Sequence, residues 1–161
     1  MTARTDTAVR VSVAVDAPIE KAFNVFTADI GRWWPPEHHI LEGELDEMVF
    51  EPRVGGHIYD RATNGNECRW ARVLVYEPPT RVVFSWDISL QWQIERDPER
   101  TSEIEVRFVA ESPHRTRVEL EHRNLDHHGD DWESMRDAVG SEGGWIVGLT
   151  RFAERAAASG S

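Results

Sequence analysis

The feature that most narrows the possible folds is a run of alternating residues in the middle of the chain. Val82, Phe84, Trp86, Ile88, Leu90 and Trp92 take every second position, with Val83, Ser85, Asp87, Ser89 and Gln91 between them. Successive side chains of a strand point to opposite faces, so this period of two predicts a strand with one wholly apolar face. Such a face has to be covered by something else in the chain. The pattern recurs in Val9, Val11, Val13 and Val15, in Ile104, Val106 and Phe108, and in Val118 and Leu120, with His122 and Asn124 next in phase.

Turn signals divide the region between these runs. Further strands are expected over Ile40–Phe50, His57–Arg61 and Cys68–Glu77, punctuated by Pro52, Gly55-Gly56, Asn64-Gly65-Asn66, Pro78-Pro79 and Asp97-Pro98. Asn-Gly between two strand-like runs is a hairpin signal. Connections this short leave no room for crossover helices, which predicts about six or seven mostly antiparallel strands.

Helical patterns flank the strands. Asp16-Ala17-Pro18 opens a helix through about Phe26, with Ala22, Phe23 and Phe26 on one face, and a second short helix covers Asp29 to Trp34, stopped by Pro35-Pro36. The tail holds two helical stretches, Asp130–Val139 and Ser141–Ala158, with Ser141 a candidate cap for the second. Trp145, Leu149, Phe152 and Ala156 recur at spacings of four, three and four, one helical stripe. Gly144 and Gly148 beside it each cost a helix interior about 1 kcal/mol relative to alanine. Either the helix passes close to the sheet there, or room is left for something else.

One amphipathic helix and one sheet with an apolar face bury each other when the sheet curls around the helix. The expected fold is α+β: a curved antiparallel sheet wrapped around a long C-terminal helix, with two short helices after the first strand. Residues 9–158 read as a single domain, with 1–8 and 159–161 as flexible termini.

Charge and composition restrict partners. A net charge of −11, with 29 acidic against 18 basic residues, opposes nucleic acid and anionic membrane surfaces, which require a cationic footprint. Cys68 is alone, so no intrachain disulfide and no cysteine-based zinc site can form. The polar start lacks the apolar stretch of a signal peptide, and no apolar run approaches the roughly 20 residues of a membrane span, so the chain reads as cytoplasmic. Seven tryptophans are many for 161 residues, and each can bury on the order of 150–250 Å² in a core or around a cavity.

Among polar candidates, His122 is set on the face of Val118 and Leu120 by strand phase. It is either a core histidine held by one hydrogen bond or a ligand-binding or acid–base group tuned by burial. His38-His39 and His127-His128 read as solvated loop pairs, and His57, Asp60 and Glu67 lack any spacing that would join them in a metal site. Arg72, Glu95, Arg96 and Glu103 read as surface charges. No nucleophile triad or phosphate loop is present, so neither a metal nor a cofactor is expected. The apolar wall of Phe84, Trp86, Ile88, Leu90 and Trp92, joined by Phe108 and Leu120, faces Trp145, Leu149 and Phe152. Trp33-Trp34 are expected near the mouth of a pocket there.

In this order of elements the chain resembles the START-like (SRPBCC) helix-grip superfamily, which includes polyketide cyclases, lipid-transfer domains and the birch pollen allergen. More narrowly it is similar to the bacterial AHSA-like family, related to the activator of heat-shock-protein ATPase. The resemblance lies in Val13-Ala14-Val15-Asp16-Ala17-Pro18-Ile19-Glu20 with Ala22-Phe23, then Trp33-Trp34, Val54-Gly55-Gly56 and Glu77-Pro78-Pro79. Further matches are Phe84-Ser85-Trp86, the segment Thr116 to His122, and Gly143-Gly144-Trp145 with Leu149 and Phe152. It implies a binder of a small hydrophobic, aromatic or lipid-like molecule between sheet and C-terminal helix. Two alternatives follow from the same resemblance: a cyclase- or hydrolase-like enzyme using His122, with Asn124 the nearest second polar group, and a chaperone-interacting protein. The co-chaperones join this domain to an additional N-terminal one, which was not expected in this chain. A homodimer is compatible with the family.

Overall fold

The structure, a computed structural model, describes residues 7–35 and 43–158. The histidine pair His38-His39, Pro36 and the predicted start of a strand at Ile40 lie outside the described residues. Seven antiparallel strands form one sheet: β1 (Val9–Val15), β2 (Leu45–Phe50), β3 (His57–Ala62), β4 (Glu67–Glu77), β5 (Arg81–Trp86), β6 (Ser102–Ser112) and β7 (Arg115–Arg123). Their order is β1-β7-β6-β5-β4-β3-β2, so consecutive strands are neighbours from β2 to β7 and β1 closes on β7. The sheet curls into a half-barrel around the C-terminal helix, the α+β helix-grip architecture that the alternation implies.

Two short helices, α1 (Ile19–Thr27) and α2 (Ile30–Trp33), follow β1. Phe23 and Phe26 of α1 set their rings edge-on against Phe108 of β6, at centroid distances of 5.1 and 5.8 Å. Phe26 also meets Phe152 of the C-terminal helix at 5.3 Å. Each such pair adds roughly 0.5–1.5 kcal/mol to the apolar burial of its rings. These contacts close one side of the half-barrel.

The tail comprises α3 (Trp132–Gly140), a π-helical turn over Glu142–Ile146, and α4 (Val147–Ala158). The predicted stripe is real: Trp145, Leu149, Phe152 and Ala156 are all buried. Ser141 does not cap the second helix. Its hydroxyl instead donates to the Ala138 carbonyl at 2.8 Å and ends α3. Gly144 is required for neither of the expected reasons. Its backbone is non-helical (φ −94°, ψ −126°), and a Cβ there would meet the carbonyl oxygen of Val139 at 2.2 Å. The close approach is to α3, not to the sheet. At Gly148 a Cβ would lie 3.7 Å from the indole of Trp33, an ordinary van der Waals contact, so a methyl group would fit there.

The long run from Val82 to Trp92 is not one strand. β5 ends at Trp86, opposite Ser102 where β6 begins, so residues beyond it have no neighbouring strand on that side. They fold back on themselves: Ile88 bridges Ile94, the Ser89 amide donates to the Gln93 carbonyl at 2.7 Å, and Trp92 sits at the tip with φ +59°. Leu90 is thereby only partly buried, and Trp92 is 45% exposed, away from the wall in which it was predicted. Among the described residues, no helix is long and apolar enough to cross a membrane.

Candidate functional site

Strand phase and register bring the chemistry to one spot on the concave face. His122 of β7 lies opposite Ile104 of β6, and Ser102, two residues earlier and so on the same face, lies opposite Trp86 of β5. His122 and Ser102 are wholly buried. After β7 the chain turns at Asn124, which has φ +60°, into a 3-10 turn over Leu125–His128. Three residues per turn put Leu125 and His128 on the same side, and both are buried. His128 is thus carried inward to Ser102.

The result is a chain of hydrogen bonds with a fixed direction. The Trp145 indole N–H donates to His122 Nδ1 at 3.0 Å, His122 Nε2 lies 2.7 Å from Ser102 Oγ, and Ser102 Oγ lies 2.8 Å from His128 Nε2. Indole nitrogen can only donate, so Nδ1 of His122 is the unprotonated nitrogen. The proton of a neutral His122 is then on Nε2 and is donated to Ser102 Oγ. The single hydroxyl proton of Ser102 goes to His128 Nε2, which leaves the proton of His128 on Nδ1. Burial keeps both rings neutral. It pulls His122 from 6.5 down to about 3, with the neighbouring His128 adding to the shift. Burial also lowers His128, against an opposing pull from Glu95.

The far end of this chain is open. Among the described residues His128 Nδ1 has no hydrogen-bond partner, and neither does the indole nitrogen of Trp86. An unpaired buried donor costs about 1–3 kcal/mol. Trp86 packs its ring 5.2 Å from His122 and 5.9 Å from Trp145, and both residues with an unmatched donor adjoin the same serine, His128 through its hydrogen bond and Trp86 as the cross-strand neighbour.

Aromatic rings surround the relay. Trp34 meets Trp70 at 5.2 Å and Trp145 at 5.6 Å, and Trp70 meets Trp86 at 5.7 Å. Trp33 and Trp34 are buried, against the prediction that they stand at a mouth. Trp33 is held by two hydrogen bonds, its indole donating to the Val25 carbonyl at 3.0 Å and Arg151 of α4 donating to its carbonyl at 2.9 Å, while Trp34 is packed between Trp70 and Trp145. Of the other predicted wall residues, Phe84, Ile88, Phe108, Leu120, Leu149 and Phe152 are buried in this core.

Three further readings are corrected. His127-His128 is not a solvated pair, since only His127 is exposed. Asn124 does not continue the inner face of β7; with His127 it lines a cleft of about 380 Å³ on the opposite face, beside Arg72, Ser85, Thr101 and Glu103. The second polar group within reach of His122 is Ser102. It was legible as the residue two before Ile104 in the alternation, whereas His128 carried no strand phase to reveal it. Arg72 is more than a surface charge: it grips the buried Asp87 through Nε and Nη2, both at 2.9 Å. Strand phase does not assign its side, because β4 is bulged against both neighbours. Among the described residues, no group of three or more His, Cys, Asp or Glu is placed to hold a metal ion.

A half-barrel gripping a C-terminal helix defines the helix-grip class. Within it, the chain belongs to the family of Activator of Hsp90 ATPase homolog 1-like proteins, whose model matches residues 16–156. It is similar to the anthrahydroquino-gamma-pyrone synthase Txn09, complexed with SUM, at 42% identity over 91% of this chain and 95% of that one, with a TM-score of 0.65. It is also similar to the self-sacrificing resistance protein CalC from Micromonospora echinospora, at 27% identity over 96% of each chain and a TM-score of 0.70. Protein NE0264 from Nitrosomonas europaea shares the fold at 13% identity, covering 99% of each chain, with a TM-score of 0.68. No curated protein matches the sequence.

Proposed function

We propose that this protein binds a planar aromatic molecule of the polyketide type between the sheet and α4, and closes an oxygen-containing ring in it by acid–base chemistry. The observation that carries this reading is the relay of Trp145, His122, Ser102 and His128, held neutral inside an aromatic cage. Sites for small molecules are lined mainly by apolar and aromatic groups, with few polar groups placed to orient the ligand. The similarity to a pyrone synthase over nearly the whole chain supports the reaction class. In such a closure a phenol O–H bond breaks and its oxygen bonds to an unsaturated ketone. The displaced π pair moves to the carbonyl, and the proton returns to the carbon beside it. Atoms and electrons balance without an oxidant or reductant, which suits a site built from neutral donors.

Titration of the protein with hydroxylated anthraquinones, read by intrinsic tryptophan emission, tests binding. Conversion of an anthraquinone bearing an unsaturated ketone side chain, read by mass-neutral change in chromatographic retention, tests turnover. Binding with turnover is expected, and failure of every such ligand to bind sinks the reading. A second reading, capture without turnover, is favoured by the likeness to the resistance protein across 96% of both chains. Tight binding with no product would select it.

A further inference from the structure

Sequence phase singles out His122 as the histidine that would meet a ligand, but its ring has no nitrogen left to do so. Nδ1 receives the Trp145 N–H and Nε2 is bonded to Ser102. His128 is in the opposite position, with Nε2 held by Ser102 and Nδ1 without a partner. Trp86, the cross-strand neighbour of Ser102, likewise buries an unmatched N–H. Both residues are more than nine-tenths buried, with 2% and 6% of their surface exposed. By the direction of the relay the free position of His128 carries a proton. The site therefore offers two donors and, at these two atoms, no acceptor.

We infer that the ligand is recognised through carbonyl oxygens received by His128 Nδ1–H and Trp86 Nε1–H, and that His122 is a positioning residue that does not touch it. This deepens the aromatic-ligand reading above and rests on it. A quinone or an aryl ketone has the matching chemistry: acceptors in a rigid plane, no charge to desolvate, and a flat face for the surrounding indoles. A neutral imidazole N–H also serves catalysis, since it stabilises the oxygen on which charge gathers when the carbonyl accepts an electron pair. His122 and Trp145 contribute by fixing which nitrogen of His128 bears the proton. Trp145 lacks an acceptor and so sets the sense of every bond after it.

Two probes of the same shape separate this inference from its parent. Anthraquinone-2-sulfonate has two carbonyl oxygens, and anthracene-2-sulfonate has none. The quinone should bind about tenfold more tightly, the worth of roughly one net hydrogen bond. That preference should fall toward unity in Trp86→Phe, which keeps an aromatic ring, and in His128→Gln. Equal binding of the two probes, or a preference that survives both substitutions, overturns the inference while leaving the pocket. Failure of both probes to bind overturns the pocket as well. Independently of any variant, nitrogen-15 spectra of the histidine rings should show His122 protonated on Nε2 and His128 on Nδ1. In Trp145→Phe the His128 signal should move toward a mixture of tautomers. The reverse assignment in the unsubstituted protein refutes the relay's direction.

Discussion

On the outer face of β5 to β7, Arg81 reaches Glu105 at 2.6 Å, Glu105 also receives Arg123 at 2.6 Å, and Arg123 continues to Glu103 at 3.2 Å. On the inner face of the same strands, Ser102 and His122 join Trp145 and His128 in a chain without a single formal charge. The two arrangements are one residue apart in sequence. Outside, Arg81, Glu105 and Arg123 each have two or more charged partners, so any one contact is replaceable. Inside, each group is closed off from bulk solvent and has its own neighbours, so losing one leaves another stranded. Polar groups on the solvent side are redundant, and those on the core side are individually specified.

The sharpest way to test that contrast is to remove apolar support from the inner face. Phe152 is fully buried against Phe26 and Trp33. Phe152→Ala should cost about 3–5 kcal/mol of stability, read from the shift of the urea midpoint. A loss below 1 kcal/mol would mean the concave face is loosely filled. The next effect is one of pH. Between about 3 and 6.5 the unfolded chain binds a proton on His122 that the folded chain does not. Stability therefore rises with pH through that window and is complete above it. At about 1.4 kcal/mol per unit, lowering the pH from 7 to 5 should remove about 2 kcal/mol. For Glu105, burial pushes the carboxyl up, but Arg81 and Arg123 outweigh it and hold it below the ordinary value, so its own two ion pairs persist at pH 5. Identical urea midpoints at pH 5 and 7 would show that the histidine is not closed off from solvent. The smallest effect belongs to the outer face. Arg123→Gln should cost no more than about 1 kcal/mol and less in high salt. A loss as large as that of Phe152→Ala would erase the difference between the faces.

What the sequence made legible follows the same division. The alternation in Ile104, Val106 and Phe108 and the stripe of Trp145, Leu149 and Phe152 reveal the inner wall because one buried face imposes a period. Extending the β6 phase back two residues reaches Ser102, so with His122 and Trp145 three of the four relay residues were within reach. Leu90 and Trp92 show the limit, since apolar alternation reports a preference for two-sidedness but not whether a partner strand is present. His128 lay beyond such reasoning because its burial depends on the left-handed turn at Asn124, which no periodicity records.

Gly144 has a consequence for the whole interior. With the Val139 carbonyl where a methyl group would sit, the chain between α3 and α4 is held by backbone against backbone. The next residue is Trp145. Its Cα and Cβ are therefore placed by the main chain, and the indole is then oriented by His122 and by the rings of Trp34 and Trp86. A guest that parts the tryptophans can swing side chains, but the stretch of backbone from which the first donor of the relay hangs remains a fixed datum.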